Sequence, residues 1–180
     1  MLNIAFIESL LGIKTLESPD FSTMFRPLPK LLIVDDSPSN RMSMCETLRN
    51  APIDIICATN GSEAVRLASK HRFFLVFMDV NMPGMDGFET CEIIHSQHIQ
   101  DSHVTLPIIF ITASSGAGQV DRCYQSGGID FIAKPYNEKI LVAKTKIFLH
   151  LYQERLRTCE ALIEIRNKRV RGVILPRFYH

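Results

Sequence analysis

"FFLVFMDVNMPGMDG", residues 73–87, decides how the rest of the chain is arranged. Six apolar residues run straight into Asp79, and a loop containing Asn81, Pro83 and Gly84 follows at once. The run is too short for a helix and rich in aromatic and branched side chains, so it reads as a buried strand. A strand with no polar face belongs in a parallel sheet covered on both sides. The carboxylate at its end is what needs explaining.

Outward from this strand the chain repeats one pattern. Upstream, "KLLIVDD" (30–36) is another buried run, and "SPSNRMSMCETLRN" (37–50) places Ser37 as an N-cap and Pro38 at the first helical position. "IDIICA" (53–58) reads as a strand and "SEAVRLASKH" (62–71) as a helix after the Asn60–Gly61 turn. Downstream, "GFETCEIIHSQ" (87–97) predicts a helix, "PIIFITA" (107–113) a strand, "GQVDRCYQS" (118–126) a helix and "IDFIA" (129–133) a strand. A long helix opens near Asn137. Five βα units predict an α/β fold, a parallel sheet with helices on both faces. In such sheets ligand chemistry gathers beyond the carboxyl ends of the strands.

Composition agrees with one domain plus extensions: 180 residues, 46% hydrophobic and 22% charged, with a net charge of +1. Residues 1–29 form an N-terminal extension, 30–150 the domain and 151–180 a helical, basic tail. Five cysteines, odd in number and without a CxxC pair, argue for a reduced, cytoplasmic setting and against a disulfide framework or zinc site. No apolar stretch reaches the roughly 18 residues of a membrane span. "MLNIAFIESLLG" lacks the basic start of a signal peptide, and Glu8 interrupts its apolar run.

Four of the five strands deliver a reactive polar group to one edge. The first ends at Asp35 and Asp36, the third at Asp79, the fourth at Thr112, and Lys134-Pro135 follows the fifth. Singly, each has a plain explanation: an Asp pair caps a helix, Thr is a good strand former, and Lys-Pro makes a turn. Together they are a constellation. Three gathered carboxylates repel one another unless a cation joins them, and hard oxygen ligands suit Mg2+. The backbone carbonyl of Asn81 is a further candidate ligand.

"LLIVDDSPSNR", "VFMDVNMPGMDGFE", "PIIFITA" and "GGIDFIAKPY" resemble the receiver (response regulator) domain of bacterial two-component signal transduction systems, over residues 30–150. The resemblance implies a flavodoxin-like, doubly wound five-stranded sheet of order 2-1-3-4-5, continued by an extended C-terminal helix. It implies that Asp79 is the phosphoacceptor, that Asp35 and Asp36 hold Mg2+, and that Lys134 and Thr112 meet the phosphoryl group. Phe131 takes the aromatic switch position. The partners implied are a sensor histidine kinase or phosphotransfer protein and an unnamed downstream protein. On this reading the chain promotes its own phosphorylation without being a turnover enzyme. Gly128 stands where many relatives carry Ala, a change expected to be harmless.

Other features carry less. His95, His98 and His103 lie in "HSQHIQDSHVTLP" (95–107), expected to be a solvated loop rather than a metal site, since no fourth spaced ligand accompanies them. The tripeptide Glu160-Ala161-Leu162 matches part of a cyclic-dinucleotide phosphodiesterase signature, but no strand precedes it and only a short tail follows. Val142, Leu149, Leu156, Ile163 and Val170 recur every seven residues, while Thr145, Tyr152, Cys159 and Arg166 make a poor second seam. Helix five is therefore either a solvated tail or a homodimer contact. The basic tail is too short to build a helix-turn-helix, which argues against direct nucleic-acid binding.

Three rival readings stay open. One is a receiver-fold interaction module that works without phosphorylation. Another is a truncated relative of a receiver-linked kinase or diguanylate cyclase. The third, an Asp-nucleophile phosphatase, would need a general acid where Asn81 stands.

Overall fold

A computed structural model describes residues 27–101, 105–113 and 116–173. Its strands are β1 (Lys30–Val34), β2 (Asp54–Ala58), β3 (Phe73–Asp79), β4 (Ile108–Thr112) and β5 (Asp130–Ala133). They alternate with helices α1 (Pro38–Leu48), α2 (Gly61–Lys70), α3 (Gly87–Asp101), α4 (Ala117–Gln125) and α5 (Glu138–Val173). All four strand pairings are parallel and the order is β2-β1-β3-β4-β5. The chain thus reverses direction across the sheet between β1 and β3, which sets a crevice at their carboxyl ends.

Alternation along the strands sorts the core into two layers. Leu32, Val34, Val76, Met78, Ile108 and Phe110 face a cluster completed by α2, α3 and α4. Leu31, Ile33, Leu75, Phe77, Ile109 and Ile111 face the other, completed by Met44 and Leu48 of α1 and Leu141 and Leu149 of α5. All seven residues of β3 are buried, as a strand covered on both faces requires. Each such Leu, Ile, Val or Phe contributes about 1.5–3 kcal/mol by leaving water. Alternation slips once. Lys30 pairs with Phe73 but Leu31 with Leu75, so Phe74 is an extra residue and shares a layer with its neighbour Leu75.

Local chemistry fixes where the helices begin. The Ser37 side chain accepts from the Asn40 N–H to start α1, and Asn60 accepts from the Glu63 N–H to start α2. Asp86 and Glu89 cap α3 reciprocally: the Glu89 N–H donates to Asp86 and the Asp86 N–H to Glu89. Gly87 lets this start press against the end of β3, because a Cβ there would stand 2.3 Å from the Asp79 carbonyl oxygen.

Two expectations are corrected. The helix predicted to end at Gln97 runs on to Asp101, so His95 does not belong to a solvated loop. His95 is half-buried on α3, with Nε2 2.9 Å from the Leu106 carbonyl oxygen; His103 lies outside the described residues. Nor is Gly128 a neutral exchange, since a Cβ there would meet the buried Phe110 ring at 2.3 Å and the Cys123 carbonyl oxygen at 2.8 Å. The Phe110 ring fills the space that Ala needs. Gly128→Ala should therefore lower stability by about 1–3 kcal/mol in urea unfolding. In a Phe110→Ala background the added cost of Gly128→Ala should shrink without vanishing, because the Cys123 carbonyl oxygen still stands 2.8 Å from the new Cβ.

Candidate functional site

Sheet topology brings Asp35, Asp36, Asp79 and Lys134 to one edge. Oxygens of the three carboxylates lie within 4.8 Å of one another. Asp35 is completely buried and Asp79 nearly so, at 5% exposure, while Asp36 is open to solvent. Lys134 bridges the two buried groups: its Nζ is 2.9 Å from Asp79 Oδ1 and 3.1 Å from Asp35 Oδ2. The lysine comes from the turn after β5, where its backbone N–H donates to the Thr112 carbonyl at 2.7 Å. Its peptide bond to Pro135 is cis.

The remaining predicted residues take different places. Thr112 is buried at the end of β4, level with Ala133, the residue before the lysine. Phe131 lies lower in the sheet, paired with Phe110 and half-buried against the α2–α4 layer, so it is not part of the acidic crevice. Asn81 is exposed in the loop that leaves β3.

Electrostatics in the crevice are dominated by opposing demands. Burial pushes the Asp79 carboxyl above its ordinary value, Lys134 pulls it back, and Asp35 and Asp36 push it up again. For Lys134 burial is the largest influence and favours the neutral amine. Its hydrogen bond and attraction to Asp79, aided by Asp35, outweigh burial and leave the ammonium more firmly protonated than usual. Both shifts describe one fact: the carboxylates need a cation beside them.

Three ionised carboxylates against one ammonium leave two negative charges without a partner in this cluster. That excess, and a donor set made only of carboxylate oxygens, fit a small divalent hard cation such as Mg2+. Asp35 Oδ2 would be shared with Lys134.

Sequence reasoning missed the groups that hold Asp35. The Asn40 side chain donates to both its oxygens at 3.0 Å, and the Ser37 N–H donates to Oδ1 at 2.8 Å. Arg41 Nη1 donates to the carbonyls of Asp35 at 2.7 Å and Asp36 at 3.1 Å. Both residues sit on the first turn of α1, within reach of the strand end just before it, and that spacing was the available signal. Also missed was Arg122 of α4, which reaches Asp86 Oδ2 at 3.0 Å and lies 4.4 Å from the Phe88 ring centroid. It joins α4 to the loop that follows Asp79.

With this geometry in hand, likeness to known proteins is decisive. The family model for the response regulator receiver domain matches residues 31–146. The chain belongs to that family. Vibrio cholerae chemotaxis protein CheY4 is 30% identical with a TM-score of 0.61, over 67% of this chain and 98% of that one. The signal receiver domain of a Syntrophus aciditrophicus signal transduction histidine kinase is 34% identical with a TM-score of 0.59, over 68% of this chain and 90% of that one. Among longer proteins, sensor histidine kinase RcsC of Escherichia coli K12 is 35% identical over 127 residues, 71% of this chain. Sensor protein GacS of Pseudomonas syringae pv. syringae is 34% identical over 113 residues, 63% of this chain. The receiver spans only 12% of the length of each of these two.

The charge balance has a consequence for stability. Above its ordinary value of 3.8, ionised Asp79 costs the folded state free energy, and the cost is complete once pH has passed the raised folded value. Asp79→Asn should therefore be more stable than wild type by about 0.5–2 kcal/mol at neutral pH without divalent cations. The difference should shrink toward zero as pH falls to 3.8, which thermal melts across a pH series will show. Lys134→Met should do the opposite, costing about 3–5 kcal/mol by leaving buried carboxylates without their cation.

Proposed function

We propose that this receiver is a phosphoacceptor switch in which Asp79 takes a phosphoryl group from a phosphohistidine on a sensor histidine kinase or phosphotransfer protein. One observation carries the reading: a nearly buried carboxylate stands beside two further carboxylates, with an ammonium fixed 2.9 Å away. In the transfer, the Asp79 carboxylate attacks phosphorus and the donor's N–P bond breaks. The imidazole leaves and takes a proton from water, and an acyl phosphate remains on Asp79.

Each residue has a task in that step. Lys134 pairs with the incoming phosphoryl oxygens as they gather charge, and at rest it opposes the upward push of burial on the Asp79 carboxyl. Asp35 and Asp36, with Asp79 and the Asn81 carbonyl, would hold Mg2+. When bound, that ion offsets charge on the transferring group. Asn40 and Arg41 fix Asp35 and its backbone so that the acidic groups need not reorganise. The chain is a substrate and promoter of its own modification rather than a turnover enzyme.

Phosphorylation adds roughly −1.5 to −2 charge where a single carboxylate stood. Thr112, at the end of the neighbouring strand, would donate to the new oxygens. Phe131, half-buried and paired with Phe110, would follow it inward and change the face made by α4, β5 and α5. An unnamed downstream protein would read that face in the cytoplasm. No helix among the described residues is long and apolar enough to cross a membrane.

A second copy of the chain is the partner that α5 favours. Beyond Tyr152, which packs on Phe74 at a centroid distance of 6.0 Å, its Leu162 and Ile163 are about 60% exposed. Leu156 and Ile163 are seven residues apart, and Arg155 and Glu160 take positions that pair across a parallel dimer.

Incubation with acetyl phosphate and Mg2+ should add one phosphoryl group to the intact mass, labile to base, mapped to Asp79. Asp79→Asn or a chelator should abolish the adduct, and Lys134→Met should reduce it by orders of magnitude. An adduct that survives Asp79→Asn defeats the proposal, and a wild type that gains no adduct favours a receiver-fold module working without phosphorylation. Independently of phosphorylation, Mg2+ at tenfold its dissociation constant should stabilise the fold by about 1.4 kcal/mol. Light scattering should find a dimer that Ile163→Glu dissociates; a monomeric wild type removes the α5 contact.

A further inference from the structure

Receiver chemistry makes no use of cysteine, yet two of the five cysteines meet here. Cys45 on α1 and Cys57 on β2 point at one another with their sulfurs 3.6 Å apart. Cys45 is half-buried and Cys57 exposed at the carboxyl end of an edge strand, so small oxidants reach the pair. Of the others, Cys91 and Cys123 are buried and Cys159 is exposed on α5.

The pair is wired to the acidic crevice through the backbone on both sides. Cys57 is level with Ile33 in β1, and the next residue, Ala58, accepts at 3.3 Å from the Asp35 N–H. Cys45 lies one helical turn beyond Arg41, on the same side of α1. Arg41 is the group that donates to the Asp35 and Asp36 carbonyls. Its positive charge also bears on Cys57 and on Glu63, so thiols, guanidinium and strand end form one continuous cluster.

We propose that Cys45 and Cys57 are a reversible oxidation site, and that closing their disulfide shifts α1 and weakens cation binding by Asp35 and Asp36. The oxidant is a peroxide. The Cys57 sulfur attacks one peroxide oxygen, the O–O bond breaks, and the departing hydroxide takes up a proton to become water. The sulfenic acid left on Cys57 is attacked by the Cys45 sulfur, the S–O bond breaks and a second water leaves. The two sulfurs lose two electrons and the two peroxide oxygens gain them. A dithiol reverses the bond by exchange.

Physical reasons favour a conditional bond. A disulfide needs sulfurs about 2.05 Å apart, so the two sulfurs must approach by about 1.5 Å, and the part of that approach which α1 supplies carries Arg41 with it. Burial, followed by the neighbouring Cys45, pushes the Cys57 thiol up to about 11. The thiolate is the reactive form, so at rest the pair stays reduced and reacts only under sustained oxidant.

The test uses the full chain with hydrogen peroxide, followed by trypsin without reductant. Cleavage after Arg41, Arg49 and Arg66 puts Cys45 in residues 42–49 and Cys57 in residues 50–66. These peptides should appear joined in wild type and Cys159→Ser, and separate in Cys45→Ser and Cys57→Ser. Oxidised wild type should need several-fold more Mg2+ for the same thermal shift, with full recovery in dithiothreitol. Whichever of Cys45→Ser and Cys57→Ser folds as wild type should be indifferent to peroxide in that assay.

Products confined to single sulfenic acids or to Cys159-linked dimers overturn the proposal. So does a joined peptide pair with an unchanged Mg2+ response. A joined pair in a protein that shows no Mg2+ shift even when reduced would count against the cation site itself, and against the coupling with it. The peptide readout needs no phosphorylation, so failure of the phosphoacceptor reading would show separately.

Discussion

A single ammonium between two buried carboxylates is the constraint around which this molecule is built. Lys134 reaches Asp79 from one side and Asp35 from the other, closing a link between strands that are 99 and 55 residues from it in sequence. Two acids could not be carried into the end of an apolar sheet without it, because each would lose its water and repel its neighbour. The arrangement is balanced rather than comfortable. One cation is too few for three acids, and that shortfall is what makes the crevice receptive to another positive charge or to a group that brings one. A fully satisfied network would be more stable and would have nothing to do.

Most of this was legible in the sequence because a parallel sheet converts sequence order into spatial order. Once β1, β3, β4 and β5 are recognised as buried runs, their last residues must share an edge, so Asp35, Asp36, Asp79, Thr112 and Lys134 could be grouped without coordinates. What stayed hidden depends on side-chain reach or on packing between distant residues. Asn40 and Arg41 look like ordinary polar positions on a helix, and only the turn of α1 shows that both bend back to Asp35. His95 falls where the predicted helix (87–97) and the His-containing segment (95–107) overlap, and nothing in residues 95–101 marks where a helix must stop. The extra residue at Phe74 could not be read from a run that is apolar throughout.

Gly128 teaches a related lesson. A position read by itself, as small against slightly larger, suggests a harmless exchange. The cost is set by Phe110, eighteen positions earlier and on the adjacent strand, whose ring occupies the volume in question. Substitutions in such a core are properties of pairs. The same holds for Cys45 and Cys57: in a list of scattered cysteines neither attracts notice, and their meaning lies in the contact between an α1 side chain and an edge-strand side chain.

The length of α5 has a mechanical consequence. Its first residue lies four positions after Lys134, and 36 residues of helix extend about 54 Å from that point. Its first half rests on the sheet through Leu141, Leu149 and Tyr152. The remainder projects beyond Tyr152 and acts as a lever that pivots where the helix leaves the sheet. A tilt of about 5° there would sweep the far end through roughly 3 Å over the ~32 Å beyond Tyr152. An adjustment of side-chain size in the crevice can thus become a displacement large enough for another protein to sense.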